Sequence, residues 1–265
     1  MPAVVSSAAA FPAGQGSLAG RAQPSPRPDT ANAGSPAPRG LDLPGPSPMV
    51  ESSGSAALPG ARTVRDWPRA DPSVVAQLAE IPAAVAADCM HRTGAMGAEI
   101  RALWRGAKLC GSALPVLVRS GDNARIHEAL GLAQAGDVLV VNAQGSMAHA
   151  VFGELMATRA RAVGLAGLVV DGAVRDVADL EAMRFPVFAL GSSPGGPTKE
   201  GTGEVGYPVA CGRVVVNPGD VVLADDDGVA VIPRSAAAAV LEAARERLEQ
   251  EAAKRAAARS GRPVV

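Results

Sequence analysis

One segment, residues 152–176, decides the fold of this chain, and it reads FGELMATRARAVGLAGLVVDGAVRD. Its pattern predicts a turn that contains Glu154, then a helix over residues 154–163, then an apolar strand over residues 167–171. The segment ends in an adjacent arginine and acid, Arg175 and Asp176. We therefore expect a compact helix–strand unit with charged side chains gathered at its loop ends.

Three charged side chains of this segment, Glu154, Arg175 and Asp176, suit a small anionic substrate held beside a divalent metal. A hard cation such as Mg²⁺ or Mn²⁺ prefers carboxylate and water oxygens and often takes only one or two protein carboxylates. A 2-oxo acid can add a carboxylate and a keto oxygen, and a planar guanidinium donates two hydrogen bonds at once. The FGEL turn opens a helix, whose free backbone amides favour an anion.

The order and spacing of several motifs resemble the family that contains 4-hydroxy-4-methyl-2-oxoglutarate aldolases, oxaloacetate decarboxylases and the regulator of ribonuclease activity A. Aldolases of that family carry an acid, twenty intervening residues and then Arg-Asp. Here Glu154 is followed by twenty residues and then by Arg175 and Asp176. The resemblance covers about residues 67–254 and includes, in order, AADCMHRTG, AGDVLVVNAQG, FGELMATRA, VVDGAVRD, FPVFALG and NPGDVVLADDDGVAVIP.

The resemblance implies roles for the residues at matching positions. Asp176 would hold the metal, directly or through water, and Arg175 would bind substrate and stabilise an enolate oxygen. The substrate carboxylate would be received by four backbone amides, those of Gly153, Glu154, Leu155 and Met156. Glu154 stands where the better-known aldolases have Asp, which moves the carboxylate by about one bond length. Glu154 and Asp88 would position a water that transfers protons, which makes them catalytic together with Arg175.

The implied activity is that of a divalent-metal-dependent lyase of the class II aldolase type, with Mg²⁺ or Mn²⁺ as cofactor. Such an enzyme would release pyruvate through an enolate, by retro-aldol cleavage of 4-hydroxy-4-methyl-2-oxoglutarate, by decarboxylation of oxaloacetate, or by both. An enzyme acting on a different 2-oxo acid is a further alternative. A non-catalytic, protein-binding regulator of ribonuclease activity is the alternative from another class. That branch usually lacks the acid after the arginine, so Asp176 favours the enzyme.

Composition divides the chain near residue 67. Residues 1–66 hold 11 of the 22 prolines and few large aliphatic side chains, which predicts a disordered tail. The arginines of this tail are compatible with an organellar transit peptide, and its Ala, Arg, Gly and Pro content equally fits a GC-rich bacterium or a misplaced start codon. Residues 67–258 are predicted to form a single catalytic domain that ends in a C-terminal helix. We expect a cytoplasmic location and leave organellar targeting by the tail open.

Beyond residue 67, helical and strand patterns alternate, which by default predicts a doubly wound sheet. The short strands crowded into residues 205–232 argue against that architecture. The resemblance implies instead an α/β fold, a ββα sandwich of the swivelling phosphohistidine-domain type. Its members assemble as trimers or hexamers with the site between protomers, so a homotrimer or hexamer is expected here.

Several classes of function find no support in the sequence. The formal net charge is −1 with no basic stripe, which argues against nucleic acid as a primary partner. No run reaches the length of about eighteen apolar residues that a membrane span needs. The glycine-rich segment GSSPGGPTKEGTG lacks the phosphate-loop pattern and is predicted to be a loop or lid. The cysteines, Cys89, Cys110 and Cys211, lack ligand spacing and are predicted to be buried thiols in a reducing compartment.

The candidate site residues also have purely structural interpretations. Asp176 could be the N-cap of the following helix, and Glu154 could simply suit the dipole of a first helical turn. Asp171 could lie in a strand-end turn or at the site. The three histidines lack ligand spacing and are expected to be structural, although His149 precedes the FGEL turn closely. Glu246, Glu249 and Glu251 are expected to form a solvated helix face. The resemblance implies that a C-terminal acid reaches a neighbouring site, and the sequence leaves open which acid that is.

Overall fold

The computed structural model describes residues 60–260 of the chain. Its α-helices are α1 (Pro72–Leu78), α2 (Ala83–Cys89), α3 (Ala124–Leu132), α4 (Glu154–Val163), α5 (Val177–Ala182) and α6 (Ala237–Arg259). Its strands are β1 (Arg101–Ala102), β2 (Leu109–Val118), β3 (Asp137–Phe152), β4 (Gly167–Val174), β5 (Val187–Ser192), β6 (Gly203–Val205), β7 (Val209–Cys211), β8 (Val214–Val216), β9 (Val221–Asp225) and β10 (Gly228–Ile232).

An eight-stranded mixed sheet forms the centre of the fold, in the order β1-β5-β4-β3-β2-β9-β10, with β6 paired to β2. Strands β2 to β5 are parallel neighbours in chain order, and helices α3, α4 and α5 connect them. The other pairings in this sheet are antiparallel. The two outermost strands, β1 and β10, approach each other, so the sheet curls towards closure. The prediction of a mixed α/β domain is confirmed.

Two hydrophobic clusters stabilise the fold. The larger contains the parallel strands and the inward faces of α3, α4 and α5. The smaller lies between α1, α2, α6 and one face of the β9–β10 hairpin. Alternation along β9 assigns Val221 and Leu223 to the smaller cluster and Val222 and Ala224 to the larger one, as expected when successive side chains point to opposite faces of a sheet. The hairpin therefore joins the two clusters.

The sequence pattern of residues 82–95 predicts one continuous helix that contains Asp88 and His91, and the structure contradicts its length. Helix α2 ends at Cys89, and His91 and Arg92 have positive φ values of 53° and 67°. The chain leaves the helix because Ala95 pairs with Ala230 of β10. A Cβ at Gly94 would stand 2.2 Å from the carbonyl oxygen of Val231. Sheet closure thus overrides the local helical pattern.

The domain begins earlier than the predicted residue 67. Thr63 bridges to Val205 of β6, and the Val64 amide donates to the Val205 carbonyl oxygen at 2.9 Å. The guanidinium of Arg62 lies 2.8 Å from the Glu204 carboxylate. Residues 60–66 therefore belong to the folded domain rather than to the tail. The rest of the predicted tail, residues 1–59, lies outside the described residues.

The three cysteines are free thiols with different environments. Only Cys211 is fully buried, whereas Cys89 and Cys110 are half-buried, so the prediction of three buried thiols holds for one of them. Burial raises the pKa of the Cys110 thiol to about 12. Burial, followed by the nearby negative charge of Asp171, raises the pKa of Cys211 to about 12 as well. Within residues 60–260, no helix is long and apolar enough to cross a membrane.

A buried ion pair before α1 gives a test of the fold. Arg69 makes two hydrogen bonds to Asp137, at 2.8 and 2.9 Å, and the Asp137 side chain is 1% exposed. Arg69→Ala would leave that carboxylate buried without its counter-charge, so the free energy of unfolding should fall by about 3 kcal/mol. The control is Arg62→Ala, which breaks the more exposed pair with Glu204 and should cost about 1 kcal/mol or less. Urea unfolding measures both, and equal losses would contradict the assignment.

Candidate functional site

Strand pairing brings the two ends of the 152–176 segment together. Strands β3 and β4 run parallel, with Phe152 opposite Val174, and the Arg175 amide donates to the Phe152 carbonyl oxygen at 2.9 Å. The residue after Phe152 is Gly153, at the N-cap of α4. The start of α4 therefore lies beside the Arg175–Asp176 pair, although twenty residues separate them in sequence.

Asp176 holds the two ends in place with its carboxylate. It occupies the backbone N-cap position of α5, but its side chain makes no capping hydrogen bond there. Instead, Oδ2 accepts a hydrogen bond of 3.0 Å from the Glu154 amide at the start of α4. Its backbone is left-handed, with φ 57° and ψ 41°, a conformation that costs energy in a non-glycine residue and clusters at functional sites. The interpretation of Asp176 as an N-cap therefore describes its backbone and not its side chain.

Arg175 lies next to this carboxylate and remains accessible. Its Nε is 3.5 Å from Asp176 Oδ2, and 43% of its side chain is exposed. Two glycines flank it. A Cβ at Gly153 would stand 2.5 Å from Asp176 Oδ2 and 3.0 Å from Arg175 Cγ, and one at Gly196 would stand 3.4 Å from Arg175 Nη1. Gly153 has an extended backbone (φ −160°), so the lack of space, and not its φ, requires a glycine there.

The four amides predicted to receive an anion are not equivalent. The Glu154 amide donates to Asp176, and the Met156 amide donates to the Gly153 carbonyl oxygen at 3.1 Å. Among the described residues, the amides of Gly153 and Leu155 have no acceptor. Leu155 is 77% exposed, so its amide lies at an open helix start. The free amides and the helix dipole can favour an anion at this point.

Glu154 and Asp88, both predicted to be catalytic, have different surroundings. The Glu154 carboxylate accepts a hydrogen bond of 2.8 Å from the Thr158 hydroxyl, one turn further along α4, while its backbone amide donates to Asp176. Asp88 lies at the end of α2 and accepts hydrogen bonds from Arg247 at 2.5 Å and from Arg92 at 3.5 Å. Within the described residues, it makes no contact with Glu154, Arg175 or Asp176. One chain therefore unites Glu154, Arg175 and Asp176, but not Asp88.

The sequence interpretation missed a buried aspartate that shapes this region. Asp122 precedes α3, is fully buried, and accepts hydrogen bonds from the loop between β5 and β6. That loop is the glycine-rich segment predicted to be a loop or lid, and Gly196, which lies on Arg175, belongs to it. The signal was available, because Gly-Asp-Asn before a helical pattern is typical of a helix start.

Two further residues, Asp171 and His149, lie outside the Arg175–Asp176 pair. Burial raises the pKa of Asp171, while a hydrogen bond from the Gly145 amide opposes the shift. Asp171 is half-buried beside Cys211 and does not contact the Arg175–Asp176 pair. His149 is exposed, and its ring lies between positions 121 and 195, where added Cβ atoms would come within 3.0 and 3.5 Å of it. It thus borders the loop over Arg175.

The donor set at this site suits a cation that keeps most of its water. Within residues 60–260, no group of three or more His, Cys, Asp or Glu side chains could hold a metal. Mg²⁺ commonly binds one or two protein carboxylates, while substrate and water complete its octahedral coordination. Here Asp176 would provide one carboxylate and Glu154 a second. Two cavities of about 220 and 590 Å³ lie elsewhere, against Ile81 and Cys110 and against Trp104 and Arg105. The Arg175–Asp176 site is an open surface in a single chain.

Comparison with known proteins identifies a family and a named relative. Residues 77–231 match the RraA-like family, described as Aldolase/RraA. A protein of Halalkalibacterium halodurans, provisionally named 4-hydroxy-4-methyl-2-oxoglutarate aldolase, is 34% identical over 189 residues, which are 71% of this chain and 90% of that protein.

Two solved structures share the fold. Streptomyces coelicolor RraAS2, titled an unusual member of the RNase ES inhibitor RraA family, is 31% identical with a TM-score of 0.65 and covers 72% of this chain and 99% of its own. The RNA-processing inhibitor RraA from Thermus is 34% identical with a TM-score of 0.54 and covers 58% of this chain and 93% of its own.

The fold and site define an α/β protein in which a helix start, an arginine and a carboxylate meet on an open surface. The chain belongs to the aldolase/RraA family. The resemblance stated from its motifs is thereby confirmed.

The close approach at Gly153 gives a test of the site geometry. In Gly153→Ala, the new Cβ would lie 2.5 Å from Asp176 Oδ2, so the carboxylate should leave the Glu154 amide and the free energy of unfolding should fall by about 1–3 kcal/mol. Gly131→Ala in α3 is the control. Its Cβ would meet nothing closer than 3.6 Å, so the stability should rise by up to about 1 kcal/mol. A crystal structure and urea unfolding of each variant check this, and an intact Asp176–Glu154 bond in Gly153→Ala would contradict it.

Proposed function

We propose that this chain is a divalent-metal-dependent lyase that cleaves a 2-oxo acid to pyruvate through an enolate. The substrates that we propose are 4-hydroxy-4-methyl-2-oxoglutarate, cleaved by a retro-aldol reaction, and oxaloacetate, decarboxylated at the same site. Both reactions pass through the same pyruvate enolate, so one set of groups can serve both. In this proposal the enzyme is a class II aldolase and oxaloacetate decarboxylase.

The observation that carries the proposal is the position of Arg175. Its guanidinium is partly exposed at the open start of α4, within 3.5 Å of the Asp176 carboxylate. An exposed cation beside a carboxylate and free amides can bind an anion and a hard cation side by side. The relative named for aldolase activity supports the assignment through its 34% identity over most of both chains.

The residues of this chain would divide the chemistry between them. Arg175 would donate hydrogen bonds to the substrate and lower the energy of the enolate oxygen as negative charge develops there. The Leu155 amide, at the exposed helix start, would receive the substrate carboxylate together with that of Gly153. The Glu154 carboxylate, held by the Thr158 hydroxyl, would orient a water that takes the proton from the substrate hydroxyl in the retro-aldol reaction and delivers a proton to the enolate carbon in both reactions.

Asp176 would hold Mg²⁺ or Mn²⁺, directly or through water, with Glu154 near the metal-bound waters. When bound, the ion supplies polarisation of the keto group and neutralisation of the enolate charge. The donor chemistry fits, because Asp176 presents an acidic oxygen at a partly exposed position, and the described residues contain no three-ligand group of the kind that Zn²⁺ usually takes.

The same proposal extends to assembly, location and fold type. The open surface at Arg175 is compatible with a homotrimer or hexamer in which the site lies between protomers. In such an assembly, Asp88 and one of the C-terminal acids would have to come from a neighbouring copy. We also propose a cytoplasmic location. For the fold, we propose the swivelling phosphohistidine-domain type.

Pyruvate release tests this function directly. The purified chain is incubated with each substrate and Mg²⁺ or Mn²⁺, and pyruvate formation is followed before and after chelation with EDTA. We expect chelation to abolish turnover and readdition of metal to restore it. Turnover that is unchanged by chelation would refute the metal role.

Variants locate that activity at the site. Arg175→Ala and Asp176→Ala should each reduce kcat/KM by at least about 10³-fold while the oligomer stays intact in gel filtration. The matched control is Arg161→Ala, which removes a cation from the exposed side of the last turn of α4 and should leave kcat/KM within about twofold.

Glu154 gives a separate prediction. Glu154→Gln keeps the hydrogen bond from Thr158 but removes the negative charge, so kcat should fall by about 10²–10⁴-fold with little change in KM. Thr158→Val removes only the supporting hydroxyl and should cause a smaller loss of kcat. Steady-state kinetics separates these outcomes. An unchanged kcat in Glu154→Gln would assign Glu154 a purely structural role in the first turn of α4.

A second candidate function is supported by the two structural relatives described as inhibitors of RNA processing. A chain with that function would bind a ribonuclease and release no pyruvate from either substrate. The turnover assay together with ribonuclease binding by calorimetry distinguishes the two functions, because the regulator requires binding without turnover.

A further inference from the structure

We propose that Asp122 is a positioning residue for the site, and that it holds the loop of residues 193–202 against Arg175. The inference rests on the proposed function for its kinetic consequences and on the geometry of the described residues for its structural ones. The 193–202 loop joins β5 to β6.

Asp122 is a buried carboxylate that gathers donors from two parts of the chain. It is 0% exposed. Its Oδ1 accepts the Ala124 amide at 2.8 Å, at the start of α3. Its Oδ2 accepts the Thr198 hydroxyl at 3.3 Å, the Gly201 amide at 3.4 Å and the Glu200 amide. Burial opposes ionisation, yet these donors together lower the pKa of Asp122, so the group is an anion at neutral pH.

The backbone extends this attachment along the loop. The Asn123 amide donates to the Thr198 carbonyl oxygen at 3.1 Å, and the Thr198 amide donates to the Gly121 carbonyl oxygen at 2.7 Å. Nearer β5, the Ala150 amide donates to the Gly195 carbonyl oxygen at 2.8 Å. Between these two attachments lies Gly196. The loop is therefore fixed on both sides of Gly196, where an added Cβ would stand 3.4 Å from Arg175 Nη1.

The neighbouring residue, Asn123, contacts the other wall of the site. Its amide nitrogen Nδ2 lies 3.3 Å from the Val151 carbonyl oxygen and 3.3 Å from Met156 Sδ, in the first turn of α4. One turn, residues 121–123, thus contacts both the loop over Arg175 and the helix start that would receive the substrate carboxylate. Its position sets the distance between these two walls.

The charge of Asp122 explains why an amide could not replace it. All of its partners are donors, so one carboxylate satisfies them together. An asparagine would turn an NH₂ group towards at least one of these donors, and the loop would lose part of its attachment. The guanidinium of Arg175 would then lose its neighbour at Gly196 and its fixed orientation, which weakens its hold on a developing enolate.

A matched pair of variants separates positioning from mere stability. Asp220 is also buried, at 5% exposure, and accepts the Asn217 amide, the Asn217 side chain and the Arg234 amide, away from the 193–202 loop. Asp122→Asn and Asp220→Asn should both destabilise the full chain. Only Asp122→Asn should accelerate amide hydrogen exchange in residues 199–202 and lower kcat, by about tenfold to a hundredfold. Unchanged exchange there, or an equal fall of kcat in Asp220→Asn, would overturn the proposal.

A coupling experiment tests whether Asp122 acts through Arg175. In an Arg175→Lys background, which retains a charge but not the planar fork, Asp122→Asn should lower the remaining kcat by much less than it does in the natural chain. Additive losses would refute action through Arg175. If Asp122→Asn fails to fold, Thr198→Val removes a single donor to the same carboxylate and should cause a smaller change in the same direction.

A readout without turnover keeps the two proposals apart. The NMR signal of Arg175 Nε–Hε should shift and broaden in Asp122→Asn and stay in place in Asp220→Asn, whether or not the chain releases pyruvate. A natural chain without turnover but with this pattern would refute the lyase and retain the positioning role. An unshifted signal in Asp122→Asn would refute the positioning role, whatever the activity.

Discussion

The hydrogen bond between the Asp176 carboxylate and the Glu154 amide is the interaction on which the rest of the site depends. It joins the end of β4 to the start of α4 at a length of 3.0 Å. Without it, Arg175 would have no fixed carboxylate beside it, and the free amides of the helix start would not face the same space. The bond exists because parallel pairing of β3 and β4 places Phe152 opposite Val174. A sheet contact thus determines where the charged groups meet.

The site contains a strained backbone at Asp176 and a close contact at Gly153. Asp176 adopts a left-handed backbone that a non-glycine residue rarely takes, and Gly153 leaves no room for a side chain. Both features orient charged groups at some expense of stability, as is common at binding and catalytic sites. The packing of the surrounding strands and helices compensates for this loss of stability. The central residues of the parallel strands are buried, and Asp122 ties the loop over Arg175 to the start of α3.

Local pattern predicted some elements well and others poorly. Helix α4 was expected over residues 154–163 and has those bounds, because its amphipathic pattern ends at Gly164, which takes the left-handed conformation. The apolar run of residues 138–142 predicts a short buried strand, but β3 continues to Phe152 through register shifts against β4. The largely exposed residues 144–149 show no alternation of apolar and polar side chains that would predict a strand. They belong to β3 because β3 pairs with β4.

The sequence by itself determined the identity of the charged groups, their spacing of twenty residues and the alternation of helices and strands. It also indicated the family, since the motifs occur in a fixed order. Only the tertiary structure decided which of those groups meet. Glu154, Arg175 and Asp176 converge because two strands pair in parallel, whereas Asp88 pairs with Arg247 on α6. The pattern around Asp122 indicates a helix start, but its attachment to the loop over Arg175 became visible only in the fold, because those partners lie about eighty residues away and no local pattern records a contact over that separation.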